Sequence, residues 1–224
     1  MRPFLRENSL SIFFGLLFLG ALAGQAIAGH ISHNQDQIAH GEHAISLGRY
    51  LTSSSFGRAV LENWQSEYLQ FMLFMLATVW LLQKGSPESK PLDQPGRESE
   101  KDQRLGAHTL QSSPRWARSG GVRTAIYSNS LLILMSVIFI GSWLGQSVTG
   151  WSDYNEMQRE HHDPTVSWAG YVGSASFWES TLQNWQSEFL AVGSFAVFAI
   201  FLRQRGSPES KPVGAPHEST GVEG

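Results

Sequence analysis

The chain has 224 residues, 16 of them Lys or Arg and 19 Asp or Glu, for a formal net charge of −3. A slightly acidic chain offers no basic footprint for nucleic acid, and the absence of Cys removes disulfide frameworks, thiolate metal sites and iron–sulfur clusters. The mean hydropathy of −0.17 is that of a water-soluble protein, but it averages four apolar blocks with long polar stretches.

The first block, Ser9–Ala28, is 20 residues without a charge, the length an α-helix needs to cross a hydrocarbon layer of about 30 Å. A basic start and Ala26-Ile27-Ala28 also resemble a signal peptide with its cleavage site. The stretch is longer than the usual signal core and has an internal counterpart, so it is read as an uncleaved anchor. The second block, Tyr68–Leu82, is shorter. Asn63-Trp64-Gln65-Ser66-Glu67 directly precedes it, and Phe56, Val60, Trp64 and Tyr68 fall four apart, as on one helical stripe. The helix is therefore expected to begin near Ser55, read as its N-cap, and to carry polar sequence into the membrane interface. The third block, Ser130–Thr149, matches the first in length. The fourth, Phe189–Leu202, matches the second, with Ser176-x-x-Glu179 read as its capping box.

These matches reflect a tandem repeat. Residues 8–91 align without a gap on 129–212 at an offset of 121, and 34 of the 84 positions are identical. Asn63–Glu67 recurs as Asn184-Trp185-Gln186-Ser187-Glu188, and Gly85-Ser86-Pro87-Glu88-Ser89-Lys90-Pro91 as Gly206–Pro212. The expectation is an all-α membrane protein with four transmembrane helices, arranged as two parallel two-helix repeats about a pseudo-two-fold axis along the membrane normal. Repeat 1 is 8–91, with spans at about 9–28 and 66–83. Repeat 2 is 129–212, with spans at about 130–149 and 187–203. The linker 92–128 and the tail 213–224, rich in Gln, Pro, Gly, Ser and mixed charge, read as disordered.

Lys and Arg before span one, between spans two and three and after span four number 13, against Arg49, Arg58 and Arg159 in the other two loops. The positive-inside rule then places both termini and the linker in the cytoplasm.

The candidate polar cluster at the membrane interface is Asn63, Trp64, Gln65, Glu67, Asn184, Trp185, Gln186 and Glu188, with Gln25 and Gln146 as hydrogen-bond donors from the first helix of each repeat. Carboxylates near hydrocarbon are costly unless paired, hydrated or protonated, so Glu67 and Glu188 are open to two readings, a structural network or a path for protons, cations or small solutes. Gly20-x-x-x-Gly24 and Gly141-x-x-x-Gly145 offer close helix packing. Gly-Ser-Pro-Glu-Ser-Lys-Pro reads as a helix stop, with a docking role left open. The histidines crowd the outer loops, at His30, His33, His40, His43, His161 and His162, but only His40 recurs, as His161. The others read as loop composition, and no metal ligands are assigned. With no His inside the apolar blocks, no Walker loop and no nucleophile elbow, no cofactor and no catalytic residue is expected.

Asn-Trp-Gln-Ser-Glu-(Tyr/Phe)-Leu before an apolar helix, then Gly-Ser-Pro-Glu-Ser-Lys-Pro, together with the opening Arg2–Leu10, resembles a family of uncharacterised bacterial membrane proteins, a domain of unknown function. The resemblance implies a protein of the bacterial cytoplasmic membrane, which the four blocks would make multi-pass, and implies no activity. Three functions follow as expectations. The first is a non-enzymatic membrane scaffold or envelope-associated protein, partnered by the lipid bilayer and by a membrane or cytoplasmic protein. The second is transport through Glu67 and Glu188, and the third is metal binding by the His-rich outer loop.

Overall fold

The computed structural model describes residues 2–222. Its regular structure is all helical. In chain order come α1 (Arg2–Glu7), α2 (Ser9–Ala39), α3 (Leu47–Leu51), α4 (Ser54–Trp80), a 3-10 turn (Gly106–His108), α5 (Arg115–Arg118), α6 (Gly121–Ser128), α7 (Ser130–Glu160), α8 (Trp168–Val172) and α9 (Ala175–Phe201). The segment 92–128, expected as disordered, thus carries the 3-10 turn, α5 and α6. Their bonds are short-range, such as Arg118 to the carbonyls of Gln111 and Ser113.

The long helices outrun their apolar blocks. At about 1.5 Å per residue, the 31 residues of α2 and of α7 reach about 46 Å, and the 27 of α4 and of α9 about 40 Å. Two of them, α2 and α7, are long and apolar enough to cross a membrane. Within this chain the most apolar stretch of α2 buries nothing: Phe13, Leu16 and Leu19 are each more than half exposed. Water-soluble monomers rarely expose large apolar patches.

The chain divides into two compact units, Met1–Leu61 with Gly145–Phe177, and Glu62–Leu144 with Trp178–Gly224. In the first, two corners are built in the same way. After α2 the chain turns back, and Asn34 clips it with both ends of its amide. Its oxygen accepts from the Ile45 N–H at 2.8 Å and its nitrogen donates to the Ile45 carbonyl at 3.0 Å. After α7, Asn155 does the same to Val166, at 2.9 Å each way. Ser46 and Ser167 then cap α3 and α8. Tyr50 and Tyr171, both buried, lay their hydroxyls against Gly29 and Gly150, where a side chain would collide. The Asp153 carboxylate adds to burial in raising the Tyr50 phenol above its ordinary pKa.

The expected caps of the second helices are displaced by two residues. Ser53 and Ser174, not Ser55 and Ser176, accept from the N–H groups of Phe56 and Phe177. The chain reverses tightly after Tyr50 and Tyr171, so the hydroxyl that meets the third N–H of the helix belongs to the earlier serine. Ser54 and Arg58, near the start of α4, meet α7 through Ser152 at 2.7 Å and Asp153 at 2.9 Å.

In the second unit the two Gly-Ser-Pro-Glu-Ser-Lys-Pro segments form one kind of turn. Gly85 and Gly206 take φ of +85° and +83°, a region closed to most side chains. The Ser89 and Ser210 hydroxyls accept from the Gln83 and Gln204 N–H groups, both at 2.9 Å. Ser86 and Ser207 accept from Glu88 and Glu209. The lysines then gather the chain that follows. Lys90 donates to the Gly96 carbonyl at 2.7 Å and pairs with Glu98. Lys211 is buried and donates to the carbonyls of Gly85 at 2.6 Å and His217 at 2.9 Å. Burial, and then the Arg203 guanidinium, push its ammonium below the ordinary pKa.

Candidate functional site

Both Asn-Trp-Gln-Ser-Glu copies are helical and lie in the second unit, on α4 and α9. Helical spacing puts Asn63 and Glu67 on one face and aims Gln65 elsewhere. Gln65 is fully buried. Its side-chain oxygen accepts from the Trp185 indole N–H at 2.7 Å and its nitrogen donates to the Glu62 carbonyl at 3.1 Å. One turn earlier, the Ser180 hydroxyl donates to the Glu62 carboxylate at 2.5 Å. These two bonds tie α4 to α9. Trp185 is also packed into aromatic rings, with centroids 5.8 Å from Trp143 and 6.5 Å from Phe139. A half-buried indole and a buried amide that satisfy each other cost little to desolvate, whereas the amide left alone would be expensive.

Identical residues are used differently in the two copies. Gln65 is buried and Gln186 exposed, while Trp185 is half-buried and Trp64 exposed. Glu67 is exposed and Glu188 half-buried. Asn184 donates to the Ser180 carbonyl one turn back, and Asn63 is exposed. Gln25 and Gln146, expected as donors to these carboxylates, belong to the other unit, half-buried and fully buried respectively.

The glycines divide as well. A side chain at Gly20, Gly24 or Gly141 would meet nothing within 4 Å in this chain, whereas one at Gly145 would press on Leu61 at 2.8 Å. Closer still are Gly29 and Gly150, against the tyrosines. Below the motifs, α4 and α9 line a cleft of about 380 Å³ with Phe71, Phe74, Val192 and Phe195, and Glu88 and Glu209 from the two turns also border it.

The histidines also separate. The His30 Nε2 lies 2.7 Å from the Ile45 carbonyl. Its counterpart Trp151 donates its indole N–H to the Val166 carbonyl, also at 2.7 Å. An indole can only donate, so the shared role makes His30 a structural donor that closes its corner. His33 lies against the Tyr50 ring. Nothing in composition marked Asn34 and Asn155 as clips, although identity at the 121-residue offset was there to find them.

A family described as a domain of unknown function (DUF6766) matches residues 1–222. The chain belongs to it. The match takes in both copies of each motif, the two corners and the segment between the copies. No curated protein and no solved structure matches the chain.

Proposed function

We propose that this member of the family is a non-enzymatic scaffold of the bacterial cytoplasmic membrane. In this reading α2, α4, α7 and α9 all cross the bilayer, as two parallel two-helix repeats. Both termini and the segment 92–128 are cytoplasmic, and the two corners stand on the outer face. The loop charges support the orientation. Supporting the parallel repeat is the recurrence, 121 residues on, of the asparagine clip and the cap serine in each corner and of the serine and lysine bonds in each turn.

The observation that carries a structural role over transport is the use made of the polar motif. Gln65 is committed to Trp185 and Glu62 to Ser180, between two helices. Polar groups inside a bundle that bond one another hold helices together, whereas a conduit keeps such groups for its cargo.

Flux tests this directly. Proteoliposomes of the wild-type chain are expected to stay at the empty-vesicle baseline for protons and monovalent cations. Flux above that baseline, abolished by Glu67→Gln with Glu188→Gln, would replace the scaffold with a transporter.

A further inference from the structure

The ends of α2 and α7 bring together two pairs of side chains, Asp36 with His40 and Glu160 with His161, that the sequence separates by more than a hundred residues. One ligating atom from each of Asp36, His40 and Glu160 lies within 4.8 Å of the other two. The His161 ring stands edge-on to the His40 ring, with centroids 5.5 Å apart. His40 and His161 are also the one histidine pair related by the 121-residue offset. We propose that these four residues bind a divalent transition-metal ion, with Zn²⁺ as the best match.

The donor set is two imidazoles and two carboxylates, which suits zinc and its neighbours and not the all-oxygen preference of Mg²⁺ or Ca²⁺. Two of the ligands are already oriented from behind. The His40 Nδ1 lies 2.9 Å from the Asp36 carbonyl and 3.6 Å from the Asp36 carboxylate, which fixes the imidazole beside Asp36. Gln37 donates to the Glu160 carboxylate at 2.7 Å. Ligands held in this way by a carbonyl or an amide are the usual support of a metal site. The surroundings favour a cation too, because α2 ends at Ala39 and α7 at Glu160, and a helix C-terminus carries partial negative charge. Arg49 and Arg159 line an adjoining cleft of about 460 Å³ that Glu160 also borders.

Ligands of tetrahedral zinc sit about 2.0–2.2 Å from the ion, and therefore about 3.4 Å from one another. Closing Asp36, His40 and Glu160 onto an ion thus needs a contraction of at most about 1.4 Å, and His161, whose ring already meets that of His40, joins them by a change of rotamer. The inference stands on these side chains alone. It holds whether two or four helices cross a membrane, and its failure would leave the scaffold reading in place.

The test uses the full untagged chain in detergent, stripped with chelator and titrated with Co²⁺, whose visible absorption reports tetrahedral binding. The wild type is expected to saturate at one Co²⁺ per chain, with Zn²⁺ displacing it. His40→Gln with His161→Gln should abolish the absorption, and Gln37→Leu should weaken binding about tenfold. His33→Gln with His43→Gln should leave both unchanged. If the double His40/His161 variant fails to fold, Asp36→Asn decides, and affinity unchanged from wild type overturns the site. Absence of saturable binding by the wild type overturns it as well, as does equal loss in the His33/His43 variant.

Discussion

The corner after α2 and the corner after α7 reach one geometry with partly different residues. Asn34 and Asn155 clip the returning strand identically, but the third bond, to the carbonyl of Ile45 or Val166, comes from an imidazole in one corner and an indole in the other. What is kept is a donor at a fixed place. The backbone carbonyl needs an N–H, and either ring brings one to the same point. The burial differs: Asn155 is buried and Asn34 half-buried. The second corner should therefore depend more heavily on its clip.

That contrast can be broken most severely at the clip itself. Asn155→Ala leaves the Val166 N–H without its side-chain partner, at about 1–3 kcal/mol, and takes one of the two bonds of the Val166 C=O, at about 1 kcal/mol, while the Trp151 indole keeps the other. A loss of about 2–4 kcal/mol is expected from thermal unfolding in detergent, and Asn34→Ala should lose less. Equal losses would mean that the burial difference has no energetic weight. Next comes the tyrosine contact. Gly150→Ala drives a methyl group into the hydroxyl of a nearly inaccessible Tyr171, and overpacking of this kind costs about 1–3 kcal/mol. Gly20→Ala, with open space around it, should be neutral in the same assay.

A smaller effect is expected where the donor differs. Trp151→Phe removes one hydrogen bond and keeps most of the ring, for about 1 kcal/mol.

The least effect concerns the two turns. The Glu98 carboxyl is held below its ordinary value of 4.5, chiefly by its hydrogen bond to Lys90. A lowered carboxylate contributes stability above its unfolded pKa and loses it as pH falls through the folded one. Acid should therefore loosen the first turn, by less than about 1 kcal/mol for so exposed a pair. The second turn should hold, because Lys211 donates to carbonyls, which do not titrate. Hydrogen exchange at 83–98 compared with 204–217, at mildly acidic pH and then below pH 4.5, reads the difference.

Periodicity and the 121-residue offset made the helical class, the long helices and the equivalent turns legible. Identity alone did not say which copy of a motif would be buried, and Gln65 and Gln186 have different fates because their helices meet different neighbours. The caps lie two residues before the expected ones because Ser53–Ser55 offers three hydroxyls and 174–176 offers two, and only the reversal after Tyr50 or Tyr171 selects among them. The His40–His161 meeting was hidden because His40 follows one long helix and His161 the other. Periodicity locates each helix end without saying where the two ends lie in space.

The central claim, two hairpins inserted in the same sense, is tested most directly by labelling. The chain has no Cys, so Glu42→Cys and Asp163→Cys, related by the offset, can be probed separately with a membrane-impermeant thiol reagent on intact spheroplasts and on inverted vesicles. The account predicts that both react from the outer face and neither from the inner. Reaction of the two from opposite faces would contradict it.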